Sequence, residues 1–373
     1  MHLEDAQLHF RATDLSSYSA CQHATLLERE VARGRLERPH WNDPAKQLLA
    51  ERGIQHEDRY RRLLEARHGE PVFRVPGAIP KTTEQWQRAT ERTVEALRAG
   101  PRVIYQAPLA GAGWHGLADF LVRVANQSGE DRNALGDYHY EVVDTKLAQE
   151  ARGSAILQLC VYSEIVSRLQ GRPPEHLIVA SPAGVVAPGE SAEPREHRFK
   201  SADFLAYFRL IRERFERFAA GQALDAVYPE PVEHCDVCAW WAQCDRRRRA
   251  DDHLSLVAGM GRGHRKLLDE VGVSTLTALG KLQLPLARRP NKLPRGSLER
   301  LQQQARLQLE ARDGCARFEL LPVEPGRGLC RLPPPSAGDV FFDIEADRYA
   351  VDGTFHYLLG WVLADASGKP VYQ

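Results

Sequence analysis

The sequence has no apolar run approaching the length that crosses a bilayer. Its opening residues, MHLEDAQLHF, lack the basic-then-apolar layout of an export signal. Together these absences predict a cytoplasmic chain. It also lacks net charge, with lysine plus arginine and aspartate plus glutamate at 50 each. Bulk charge thus gives a nucleic-acid partner no support, and any such partner must use a local basic surface. Without an export signal the seven cysteines are not expected in disulfides, which leaves metal ligation or buried thiols. No repeat is visible beyond two helical units in the second half.

What is present fits a folded α/β protein. Hydrophobic residues make up 43% and charged residues 27%, and 373 residues are too many for one ordinary core, so two or three domains are expected. Apolar spacing predicts helices from Thr13 to about Gly34, Pro44 to His68 and Thr82 to Ala99. The period then falls to two, predicting strands at Val103–Leu109, Trp114–Val124 and Tyr138–Leu147, with a polar turn between the last two. A helix (Ser154–Leu169), a strand around Leu177–Val179, a Pro/Gly-rich loop (Ser181–Pro194) and a helix (Ser201–Ala220) follow. Beyond a cysteine-bearing stretch come a small helical unit (Leu254–Leu282), a proline-bearing link to Pro294 and a helix (Ser297–Ala311). A second link, Pro322–Ser336, leads to strands at Val340–Glu345 and Tyr357–Ala364.

The chemistry concentrates on two of these strands. One reads GLADFL and holds Asp119; the next reads YEVVDTK and holds Asp144 and Lys146. Side chains alternate along a strand, so Asp144 and Lys146 share a face that Glu141 does not. Asp119 interrupts an apolar strand, where a carboxylate is costly to bury without a partner such as a cation. Two carboxylates and a lysine suit phosphodiester hydrolysis. A lysine alongside can orient the attacking water or stabilise transition-state charge; Asp119 and Asp144 are the expected ligands of Mg²⁺ or Mn²⁺, and Lys146 the expected catalytic base. His56, in the stretch GIQHE on the second helix, is either a nitrogen ligand to that metal or a surface histidine. Gln158 and Tyr162, four apart on a helix, either reach a substrate phosphate or position Lys146, or form an ordinary polar edge.

Cys235, Cys238 and Cys244 lie within ten residues of one another, and Cys21 is the best candidate for a fourth thiolate. Four thiolates suit zinc or an iron–sulfur cluster, and spacing alone does not choose between them.

Taken jointly, Gly53/His56, Gly116-x-x-Asp119, Asp144-x-Lys146 and Gln158-x-x-x-Tyr162 resemble the ordered motifs of RecB-like nucleases in the PD-(D/E)xK superfamily. With Cys21, Cys235, Cys238 and Cys244 the resemblance is to the iron-staple version shared by AddB-type nucleases and CRISPR-associated RecB-like exonucleases. It covers roughly the first 250 residues. It implies a restriction-endonuclease-like mixed sheet flanked by helices, a 4Fe-4S cluster on the four cysteines, and a divalent metal at His56, Asp119 and Asp144. Asp119, Asp144, Lys146, Gln158 and Tyr162 would then be the catalytic set. The implied substrate is DNA, single-stranded or at ends, and the implied partner a helicase in the same or another chain. Asp144 stands where many relatives have glutamate.

The later segments resemble a subgroup in which helix-hairpin-helix-like units (here 251–321) and a linker (322–337) precede an RNase H-like domain. Glycine turns in such hairpins present backbone N–H groups to phosphates, and Arg246 to Arg249 would supplement them. Asp343 and Glu345 share a strand face as paired metal ligands would, but only opening strands follow, so residues 338–373 read as an incomplete RNase H-like domain without a second active site. The rival expectation is a non-catalytic DNA- or helicase-binding module stabilised by the cysteine site, with a zinc-dependent structural protein as the third.

Overall fold

The computed structural model of the chain describes residues 1–40, 43–126, 133–183, 193–286, 290–336, 338–347, 355–365 and 367–372. Part of the polar turn expected after Val124 and much of the loop expected before Pro194 lie outside them. The described chain divides into two units, Met1–Val227 with Ile344–Leu359, and Tyr228–Asp343 with Gly360–Gln373.

The first unit opens on a hairpin of β1 (His2–Glu4) and β2 (Gln7–Arg11), which is too short to show an apolar period. The helix expected from Thr13 to Gly34 is two helices, α1 (Ala12–Ala20) and α2 (Gln22–Ala32). They part at Cys21, whose backbone is extended and whose sulfur accepts from the Ala24 N–H at 3.4 Å, capping α2. Next, α3 spans Pro44–His68 as expected. Asp43 caps its first N–H groups, proline suits its first turn, and Gly69 at φ 70° ends it. After β3 (Phe73–Arg74), Thr82 caps α4 (Thr83–Ala99). The central strands follow: β4 (Val103–Gly111), β5 (Trp114–Ala125) and β6 (Tyr138–Thr145). Then come α5 (Gly153–Gln170), β7 (His176–Ser181), β8 (Arg195–Lys200) and α6 (Ala202–Gly221). β8 reads REHRFK, a charged edge strand with no apolar run to reveal it.

The sheet is mixed and open, ordered β1-β2-β5-β6-β7-β8, with β4 paired to β5 and β3 to β4. β6 runs antiparallel to β5 and parallel to β7. Helices cover both faces. Leu109, Leu121, Val142 and Val179 meet Leu15, Leu97, Leu159 and Phe215 on one side. On the other, Phe120, Val143 and Ile178 meet Tyr60 and Leu64 of α3.

The second unit holds α7 (Trp241–Ala250), α8 (Arg262–Asp269), α9 (Leu276–Gly280) and α10 (Arg295–Glu310). Leu254, Leu268, Leu276, Leu279, Leu298 and Leu301 form its core. A side chain at Gly280 would meet the Ala305 carbonyl oxygen at 3.0 Å, so glycine allows α9 and α10 to touch. Arg248 does not join a basic face: it is buried and donates to the Pro229 carbonyl at 3.1 Å, while Arg247 and Arg249 pair with Asp251 and Asp245.

Past α10 the described chain has only short 3-10 turns until β9 (Phe341–Asp347). With β10 (Phe355–Ala364) and β11 (Pro370–Tyr372) it makes a three-stranded sheet, ordered β11-β10-β9. Its apolar side chains are exposed, Phe341 at 70% and Tyr357 at 60%. No helix among the described residues is long and apolar enough to cross a membrane.

Candidate metal centre

The centre forms where β5 and β6 separate. Their ladder ends at Phe120 opposite Val143. One step on, where a β5 carbonyl would be expected, the Thr145 N–H and hydroxyl both donate to Asp119 Oδ2 at 2.8 Å. Across β5, the β4 residue opposite Asp119 is Gln106, at φ 50°. A side-chain-bearing residue in that left-handed region costs roughly 1–2 kcal/mol. Strict alternation breaks here: Ala107 and Ala118 face the α5 side, whereas Tyr105 and Phe120 face α3.

Asp144 is fully buried, with Lys146 Nζ 2.5 Å from its Oδ2 and the Gln158 amide 3.3 Å from its Oδ1. Lys146 thus pairs with Oδ2 and Gln158 with Oδ1, so both carboxylate oxygens are engaged. Burial and the neighbouring Asp119 push the Asp144 carboxyl up to about 7, against the pull of Lys146. Lys146 continues the β6–β7 ladder through its N–H to the Ala180 carbonyl at 3.0 Å. As parity predicted, Glu141 is elsewhere; its carboxylate accepts from His176 and Arg198, each at 2.7 Å.

From α3, His56 is buried and not on the surface. Its Nε2 lies 3.0 Å from the Ala180 carbonyl oxygen, which can only accept, so Nε2 carries the proton and Nδ1 the lone pair. Burial lowers its pKa, which favours the neutral ring a metal requires. The next residue, Glu57, is one that sequence reasoning left without a role. It accepts from Gln106 at 3.0 Å and from the Tyr105 hydroxyl, and burial followed by nearby Asp119 raises its pKa. The bend at Gln106 brings it there, and no spacing rule foretells that bend.

Gln158 holds Asp144 and not Lys146, because α5 crosses the sheet over Asp144. Tyr162 is buried beside Gly116, where an added Cβ would lie 2.7 Å from the tyrosine hydroxyl. This packing explains the glycine in the GLAD stretch. It also makes Tyr162 a buried neighbour of the acids, whose charge adds to burial in raising its pKa.

Asp144 and Glu57 thus have raised pKa, each partly through nearby Asp119, beside Lys146 and the neutral imidazole of His56. A divalent cation with mostly oxygen ligands fits this donor set, since it would supply the charge that one lysine leaves uncompensated.

The cysteines are less gathered. Cys21 belongs to the first unit and the other three to the second. Cys235 lies in a 3-10 turn (Glu233–Val237) that Cys238 closes, and Cys244 lies on α7. Those three sulfurs are not all within 4.8 Å of one another. All four cysteines are half-buried, whereas Cys160 is buried in the core and Cys315 and Cys330 are exposed.

No protein-family model matches this chain, and no curated protein is similar to it.

Proposed function

We propose that this chain is a metal-dependent DNA nuclease of the RecB-like PD-(D/E)xK kind, with a restriction-endonuclease-like core, acting on DNA ends or single strands. The observation that carries the reading is Asp144: buried, held by Lys146 and Gln158, and near Asp119, so that two carboxylates share one lysine. Asp119, Asp144 and His56 would hold Mg²⁺ or Mn²⁺, with Glu57 alongside. When bound, the ion polarises the scissile phosphate and acidifies a water. Asp119 is fixed by two donors from Thr145, so its carboxylate is oriented before any ligand arrives. Lys146 is partly exposed and anchored by Asp144, so its ammonium can face both the acids and a phosphate. That ion pair supports charge stabilisation and water orientation for Lys146 over a role as base. Gln158 keeps Asp144 aimed and Tyr162 fills the space behind Gly116.

We further assign Cys21, Cys235, Cys238 and Cys244 to a structural 4Fe-4S cluster. α8 and α9 are read as a helix-hairpin-helix-like unit, and β9–β11 as the start of an RNase H-like domain. A helicase, in this or another chain, is the proposed partner.

Asp144→Asn and Lys146→Gln test the enzymatic reading against the binding-module reading. Both variants should bind end-labelled single-stranded DNA like the wild type while cleavage falls by about a hundredfold or more. Undiminished cleavage would refute the assignment. Cys235→Ala should lose iron, measured as the 400-nm absorbance of anaerobically purified protein; a colourless wild type would remove the cluster.

A further inference from the structure

A second constellation lies at the other end of β6, on residues the proposed nuclease chemistry does not use. His139 and Glu141 sit two apart on β6, and Glu175 directly precedes β7. Each brings one ligand atom within 4.8 Å of the others. Glu141 and Asp144 are three residues apart, roughly 10 Å along a strand, and face opposite sides of the sheet.

The tautomer of His139 is fixed by its surroundings. Its Nδ1 lies 2.8 Å from Asn126 Oδ1. That amide cannot be reversed, because Asn126 Nδ2 donates to the Gly136 carbonyl at 3.1 Å and Arg172 donates to Oδ1 at 3.1 Å. Nδ1 is therefore the donor, and the lone pair is on Nε2. His139 is 2% exposed, and its Nε2 is buried with no hydrogen-bond partner. Leaving such an acceptor unsatisfied is costly, so the site favours a ligand that takes up the lone pair. Glu141 has a vacancy as well. Its Oε1 accepts from the His176 N–H at 3.1 Å and from His176 Nδ1 at 2.7 Å, while Oε2 accepts from Arg198 alone at 2.7 Å. Glu175 adds an exposed carboxylate.

Three acceptors thus converge with no donor among them. An imidazole whose other nitrogen donates to a fixed oxygen is the arrangement that orients metal-bound histidines. We propose that His139 Nε2, Glu141 Oε2 and the Glu175 carboxylate bind a divalent first-row metal ion, separate from the acids at Asp119 and Asp144. His176 and Arg198 keep Glu141 aimed. The exposed side at Glu175 leaves room for water to complete the coordination. Such an ion would tie β6 to the start of β7.

Mn²⁺ binding to the full chain, counted by electron paramagnetic resonance, tests this directly. Glu175 is exposed, so Glu175→Gln should fold as the wild type does yet lose one bound Mn²⁺, or bind it at least about tenfold more weakly. His139→Gln should lose the same ion, and Asp144→Asn should keep it. Mn²⁺ should raise the melting midpoint of the wild type more than that of Glu175→Gln. If Glu175→Gln binds as many ions as the wild type with equal affinity, the proposal is wrong. It is equally wrong if the wild type binds none that depends on Glu175.

Discussion

Gly116 has no side chain because Tyr162 occupies the place where one would be. Gly116→Ala should cost about 1–3 kcal/mol, read as a lowered urea midpoint, because Tyr162 is packed too tightly to step aside. Wild-type stability after this change would mean that the helix above yields. At Asp144 the sign of the pH effect is fixed by the direction of its shift. Its carboxyl titrates near 7 in the fold against 3.8 ordinarily, so the fold penalises the charged form. Without metal, stability should fall as pH rises from about 4 through about 7, and Asp144→Asn should flatten that slope in denaturation curves run in chelator. Metal binding must displace the Asp144 proton below neutrality, so affinity should weaken as the pH drops under about 7. At this scale the sequence was informative where parity governs. Asp144 and Lys146 meet, and Glu141 is elsewhere. It was silent where a partner from another element decides, as with Gln158 on Asp144, Glu57 beside Asp119, or the orphaned nitrogen of His139.

Helix ends were legible wherever a cap announced them: Asp43 and Gly69 bound α3, and Thr82 starts α4. The break at Cys21 was not, because its apolar neighbours keep a helical spacing on both sides and cysteine is a rare cap. β8 was missed because an edge strand with charge at most positions shows no period. Between elements, buried Arg29 of α2 donates to the Ala219 and Gln222 carbonyls at the end of α6, at 3.2 and 2.6 Å, and pairs with Glu30 at 2.8 Å. Arg29→Met should cost about 3 kcal/mol, since Arg33 and Arg35 still compensate Glu30 but the two carbonyls lose their donor. Calorimetry would show it as a lowered midpoint; an unchanged midpoint would mean water replaces the guanidinium.

Across the whole molecule, the alternation of helices and strands was enough to read a mixed open sheet between helices. Strand order was not, because β4 and β5 pair as a hairpin while β2 reaches β5 from the far start of the chain. In the closing strands Phe341, Phe342, Tyr357 and Leu358 are exposed. Such a surface drives association. Phe341→Lys with Tyr357→Lys should therefore reduce self-association in light scattering without lowering metal binding; unchanged scattering would absolve this sheet.

The central claim is that Asp119, Asp144 and Lys146 make a metal-dependent nuclease. Its most direct test is cleavage of end-labelled single- and double-stranded DNA by anaerobically purified protein, with Mg²⁺, Mn²⁺ or chelator, wild type beside Asp144→Asn. The account predicts cleavage that requires the metal and vanishes in the variant. Intact DNA with folded, metal-loaded wild type, or cleavage that survives in Asp144→Asn, would contradict it.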